Sequence, residues 1–81
     1  MEFVINETSE KHGYAQLADY LREKIAAGAY DATGRLPSLT ELIELSGLSM
    51  SSVQHAVAVL KDEGLVHSVK GRGTFIRRRD G

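Results

Sequence analysis

Residues 38–64 read S-L-T-E-L-I-E-L-S-G-L-S-M-S-S-V-Q-H-A-V-A-V-L-K-D-E-G, and their punctuation predicts two short helices meeting at Gly47. Ser38, followed three residues later by Glu41, is a capping box. The serine oxygen and the glutamate each satisfy an otherwise unpaired amide at the helix start. Pro37 punctuates the chain just before it. Leu42 and Leu45 give the first helix a buried side, and Gly47 ends it, because glycine enters the left-handed region without a steric cost. Ser49 caps the next helix. Val53, Ala56, Val57 and Leu60 recur at helical spacing, so one side is core while Met50, Ser51, Gln54, His55 and Ala58 look outward. A small residue such as Ala56 lets two crossing helices approach closely. The pattern is a helix-turn-helix, whose second helix is shaped to enter a DNA major groove. Amphipathic helix pairs also occur in domains that touch no nucleic acid, so the flanking chain has to decide.

With 81 residues the chain reads as one domain, near the lower end of what a single hydrophobic core holds together without staples. The absence of cysteine excludes disulfides and thiolate metal sites and is compatible with a reducing compartment. No signal peptide and no apolar run long enough to cross a bilayer is present, so the expected location is the cytoplasm. A net charge of −1 and a pI near 6.3 argue against a nucleic-acid partner until the charge is located. Residues 1–63 carry five Lys/Arg against ten Asp/Glu, whereas residues 64–81 carry five against Asp80 alone. A polyanion is therefore expected to be gripped at the basic end. A solubilising charged tail is the competing explanation.

Upstream, Phe3-Val4-Ile5 suggests a short strand and then a loop across residues 1–12. From Tyr14, the positions Tyr14, Leu17, Ala18, Leu21 and Ile25 fit one helix face, with Asp19, Arg22 and Glu23 opposite and a stop at Gly28. Residues 29–35 read as a loop tethered by Tyr30, after which Leu36 anchors the chain. Beyond Gly64, residues 65–69 and 73–77 have strand composition and flank Lys70-Gly71-Arg72, which predicts a β-hairpin. The fold class is α+β, mainly α: a winged helix-turn-helix over residues 13–77, three helices plus a C-terminal two-stranded wing, then a basic tail at 78–81. Lys70 and Arg72 sit where Gly71 lets the backbone approach phosphates or a minor groove. An ordinary solvated hairpin tip would carry the same residues.

In this order the motifs resemble the N-terminal winged-helix domain of the GntR family of bacterial transcription regulators. The resemblance runs from Tyr14 to Ile76 through Ala27-Gly28, Leu36-Pro37-Ser38, Glu41-Leu42 and Gly47-Leu48-Ser49. It continues through Val53, Ala56, Leu60 and Glu63-Gly64-Leu65-Val66 to the wing Gly71-Arg72-Gly73-Thr74-Phe75-Ile76. The opening Phe3-Val4-Ile5 is similar in particular to the YtrA-like branch. The resemblance implies a sequence-specific DNA-binding regulator of repressor type. Its recognition helix, about residues 50–63, would lie in the major groove, with wing residues 70–73 at the minor groove or phosphates. It also implies double-stranded DNA with a palindromic operator, pairing as a homodimer on it, and a C-terminal dimerisation or effector module. No such module follows here, so the chain reads as an excised domain or a minimal protein.

Carried over from the family are Ser38, Ser49 and Ser52 near phosphates, Gly71 at the wing tip and Thr74 on the returning strand. Helix capping accounts for Ser38 and Ser49 equally well. The family's usual arginines fall at Thr40, Met50 and Gln54, so three contacts typically worth about 1–3 kcal/mol each are missing. Ile43 also stands where the family has a small residue, which predicts an adjusted helix crossing. Gln54 can pair with adenine through its amide, and Met50 can touch a thymine methyl group. Ser51 and His55 complete the outward surface of that helix. A neutral face of Thr40, Met50, Ser51 and Gln54 also suits a protein partner, and a protein-interaction module is the alternative function.

Catalysis, cofactors and metals are not expected. His12, His55 and His67 are scattered without paired ligands at metal spacing. The G-R-G of the wing lies between strands, whereas a nucleotide fingerprint opens a helix. No base is placed to activate a serine.

Overall fold

A computed structural model describes residues 12–77. The order is α1 (Gly13–Ala26), α2 (Leu39–Ser46), α3 (Met50–Asp62), β1 (Val66–Val69) and β2 (Gly73–Ile76). The predicted strand at Phe3-Val4-Ile5 and the basic tail at 78–81 lie outside the described residues.

α1 buries Leu17, Ala18 and Leu21, with Tyr14 and Ile25 half-buried against them. It closes one residue beyond its cap, where the Gly28 amide donates to the Ile25 carbonyl and the Ala29 amide to that of Lys24. α3 closes the same way, Gly64 donating to Lys61 and Leu65 to Leu60, at 2.9 and 3.0 Å. This double bond across a left-handed glycine satisfies two orphan carbonyls and turns the chain sharply toward the next element.

Both halves of the capping box at α2 are formed. The Glu41 amide donates to Ser38 Oγ at 3.2 Å, and the Ser38 amide donates to Glu41 Oε1 at 2.9 Å. Gly47 takes φ of 71° and donates to the Ile43 carbonyl, and Ser49 then caps α3 by accepting from the Ser52 amide. Of α2 only Leu42 is fully buried; Leu45 stays half-covered, because this two-turn helix rests mainly on α3.

α3 packs against α1, α2 and β1, and sends Val53, Ala56, Val57 and Leu60 into the core. Leu36 and Val66 complete it from the chain on either side. Each fully buried Val or Leu side chain among these contributes about 1.5–3 kcal/mol.

The wing is antiparallel, with Val66 opposite Ile76, His67 opposite Phe75, Ser68 opposite Thr74 and Val69 opposite Gly73. Residues 34–36 are more than the predicted loop. Arg35 bridges to Phe75, the Leu36 amide donates to the Thr74 carbonyl, and the Ile76 amide donates to that of Gly34, both at 2.9 Å. Burial of Leu36 draws the preceding backbone alongside β2, where its polar groups find partners.

Arg22, expected to face solvent, joins α1 to the end of α3. Its Nε and Nη2 donate to the two oxygens of Glu63 at 2.7 and 2.6 Å, and Nη1 donates to Asp19. The fork matches a carboxylate in both shape and charge.

Ser38→Ala should lower stability by about 1 kcal/mol through loss of the cap, read as a lower urea midpoint at unchanged slope. An unaltered midpoint would contradict the capping role. Two glutamates also link the fold to pH. The Ser38 amide and hydroxyl hold Glu41 below its ordinary range, and the Arg22 hydrogen bond does the same for Glu63. Both carboxyls bind protons less readily when folded, so their stabilisation is complete above the ordinary value of 4.5 and fades as pH falls through the lower folded values. Glu63→Gln should therefore be less stable than the parent at neutral pH and converge with it in acid. A gap that stays constant across the titration would rule this out.

Candidate nucleic-acid interface

Burying one side of α3 leaves Met50, Ser51, Gln54 and Ala58 exposed on the other. Met50, at 46 % exposure, is the one large apolar side chain left open among the described residues. It sits where the start of α2, the start of α3 and the wing converge on an open groove of about 490 Å³. Of the residues expected to contact DNA, Ser38, Thr40, Met50, Gly71 and Thr74 line this groove together. Lys70 and Arg72 are exposed on either side of Gly71 in the turn, which the Arg72 amide closes by donating to the Val69 carbonyl at 2.9 Å.

The remaining candidates lie along α3. Ser49 and Ser52 are engaged with each other at its start: Ser49 Oγ accepts from the Ser52 amide and donates to Ser52 Oγ, each at 3.2 Å. Ser51 and Gln54 are exposed. His55 is exposed too, but its ring stacks on Tyr14 with centroids 3.7 Å apart and planes 11° apart. One face of the imidazole is therefore committed to α1, and the opposite face and the edge are what it can offer to a partner.

The charge on this surface is uneven. α2 has no basic residue and α3 has only Lys61, in its last turn, while Glu41 and Glu44 lie on α2. Cations enter the groove region from the wing and from one residue not singled out in the sequence, Arg35. It lines the groove with Ser38 and Met50, and its guanidinium carbon lies 5.9 Å from the centre of the Phe75 ring. The available signal was a basic residue directly before Leu36-Pro37. Ser68 of β1 lines the same groove and was also not singled out.

Among the described residues, no group of three His, Asp or Glu is placed to hold a metal, and no helix is long and apolar enough to cross a membrane.

Relatives carry the same domain. The chain is 46 % identical over 67 residues to an uncharacterized HTH-type transcriptional regulator of Rhizobium meliloti, covering 83 % of this chain and 28 % of that protein. It is 36 % identical over 74 residues to the HTH-type transcriptional repressor NagR of Bacillus subtilis, covering 91 % and 30 %. The chain thus spans under a third of the length of these relatives. Among solved structures, the GntR-family transcription factor YtrA from Sulfolobus acidocaldarius superposes with a TM-score of 0.84 at 31 % identity, covering 99 % of this chain and 84 % of that one. The DNA-binding domain of AraR, solved in complex with its operator ORX1, superposes at 0.80 with 27 % identity, covering 94 % and 96 %. The family model for bacterial regulatory proteins, gntR family, matches residues 13–76, and the chain belongs to that family.

Proposed function

We propose that this domain binds operator DNA sequence-specifically as part of a bacterial, cytoplasmic transcription regulator of repressor type. α3 would lie in the major groove with the turn at residues 70–72 against phosphates or the minor groove. The observation that carries this reading is the shared groove, in which Thr40 and Met50 of the helix pair face Gly71 and Thr74 of the wing. A duplex laid there would meet the exposed start of α3 and the basic turn at once. The likeness to a domain solved in complex with an operator supports DNA binding, as the likeness to a transcriptional repressor supports the regulatory role.

The base-reading and phosphate-binding roles fall on different elements. Gln54, exposed on α3, supplies the paired donor and acceptor that match adenine, and Met50 offers apolar contact to a thymine methyl group. Lys70 and Arg72 supply charge without base identity. A palindromic operator would be filled by two copies, each using one groove. Met50 is the one exposed large apolar residue among the described residues, so this face lacks the extended apolar patch that marks many protein-docking surfaces.

The test is selection of bound duplexes from a random pool, followed by salt titrations. Lys70→Ala with Arg72→Ala should weaken all duplexes alike and reduce the dependence of log K on log salt by about 0.9 per lost phosphate contact. Parent-like binding by that double variant would remove the wing from the interface. Gln54→Ala should relax base preference at one operator position at a cost of about 1–3 kcal/mol. If the selected sequence does not change, Gln54 reads no base.

A further inference from the structure

We infer that Arg35 is a phosphate-contacting residue of this interface, held in place by the same contacts that fasten the wing to the helix pair. The inference rests on the DNA-binding reading above and adds a cation that lies on neither helix of the pair nor in the wing turn.

The position of Arg35 is fixed from the backbone outward. Its neighbours Gly34 and Leu36 are hydrogen-bonded to β2 on both sides, Arg35 bridges to Phe75, and Leu36 is buried in the core. The Cα therefore belongs to the sheet rather than to a free loop. The side chain is oriented as well. Its guanidinium lies over Phe75, whose ring also stacks on His67 across the ladder with centroids 6.3 Å apart. A Cβ placed on Gly73 would come within 3.3 Å of Arg35 Nη2, so the guanidinium occupies the space that a side chain at position 73 would need.

The charge so placed is unspent. Arg22 is consumed by Asp19 and Glu63, whereas no carboxylate among the described residues lies within ion-pair distance of Arg35. Its charge helps to depress Glu41, but Oε1 of that carboxylate is already occupied by the Ser38 amide. A guanidinium held near an aromatic ring at cation–π distance, 5.9 Å here, is left with N–H groups that fit phosphate oxygens. Among the described residues it is the one basic residue on the walls of the groove. A phosphate backbone following the groove from the start of α2 to the wing would pass these N–H groups.

The experiment uses the 81-residue chain and fluorescence anisotropy with two labelled duplexes, one selected from a random pool and one of unrelated sequence, over a series of salt concentrations. Arg35→Gln should bind both duplexes about tenfold more weakly, with the salt slope smaller by about 0.9 and the base preference unchanged. Arg35→Lys should keep the parental slope while losing part of the affinity, because an ammonium keeps the charge but not the planar fork of donors. A parental slope in Arg35→Gln would overturn the phosphate contact even if affinity fell, since a residue that only braces the wing changes affinity without releasing fewer counterions. If the parent binds duplex and Arg35→Gln matches it throughout, this inference alone fails. If the parent binds no duplex at low salt, the operator-binding reading fails and takes this inference with it.

Discussion

Burial of Val53, Ala56, Val57 and Leu60 along one face of α3 is the constraint from which the remaining geometry follows. α1 and α2 both pack on that helix, and β1 leaves its end through the closure at Gly64. Helical residues advance by a fixed angle, so fixing four positions inward fixes Met50, Ser51 and Gln54 outward. The surface offered to a partner is therefore a by-product of the core. A substitution that rotated α3 to relieve packing would move every outward side chain with it.

What could be read from the chain and what could not divide along a physical line. Caps, glycine closures and the helical period of α3 depend on residues within a few positions of one another, and each of these local features is formed in the structure. The contacts that escaped notice join residues far apart. Arg22 meets Glu63 41 positions away, Tyr14 stacks on His55, and Arg35 runs beside Phe75. A single residue bridging to a strand has no alternation to reveal it, so the loop expected over residues 29–35 holds for its turns but not for Gly34 and Arg35, which Leu36 draws beside β2. His55 was correctly placed outward, but nothing in its neighbourhood signalled that a tyrosine from the first helix would cover one side of its ring. In the candidate interface, the residues facing out from α3 and the wing turn were legible. The groove that unites them with Arg35 and Ser68 was not, because a groove belongs to the packing of three elements.

Charge placement gives the interface a division of labour. α2 and the first turns of α3 carry no cation, and α2 is acidic, so a general attraction for polyanions cannot come from the helix pair. On the proposed DNA-binding reading, and among the described residues near the groove, it falls to Lys70 and Arg72 of the wing turn and to Arg35. Neutral side chains on the reading face reduce binding strength but also reduce indiscriminate attraction to any duplex, since contacts to base edges count only where the bases match.

The pairing of residues 34–36 with β2 has a mechanical meaning. β2 is hydrogen-bonded on both edges, to β1 and to the segment that leads directly into the Ser38 cap. The hairpin is thus no swinging arm; it shares a sheet with the start of the helix pair, and the span between the turn and the head of α3 is set by the protein. On the proposed DNA-binding reading, fitting a duplex to that span would then be work for the DNA. Sequences whose minor groove narrows or whose steps unwind cheaply would fit at less elastic cost, and they would be favoured at positions that no side chain reaches.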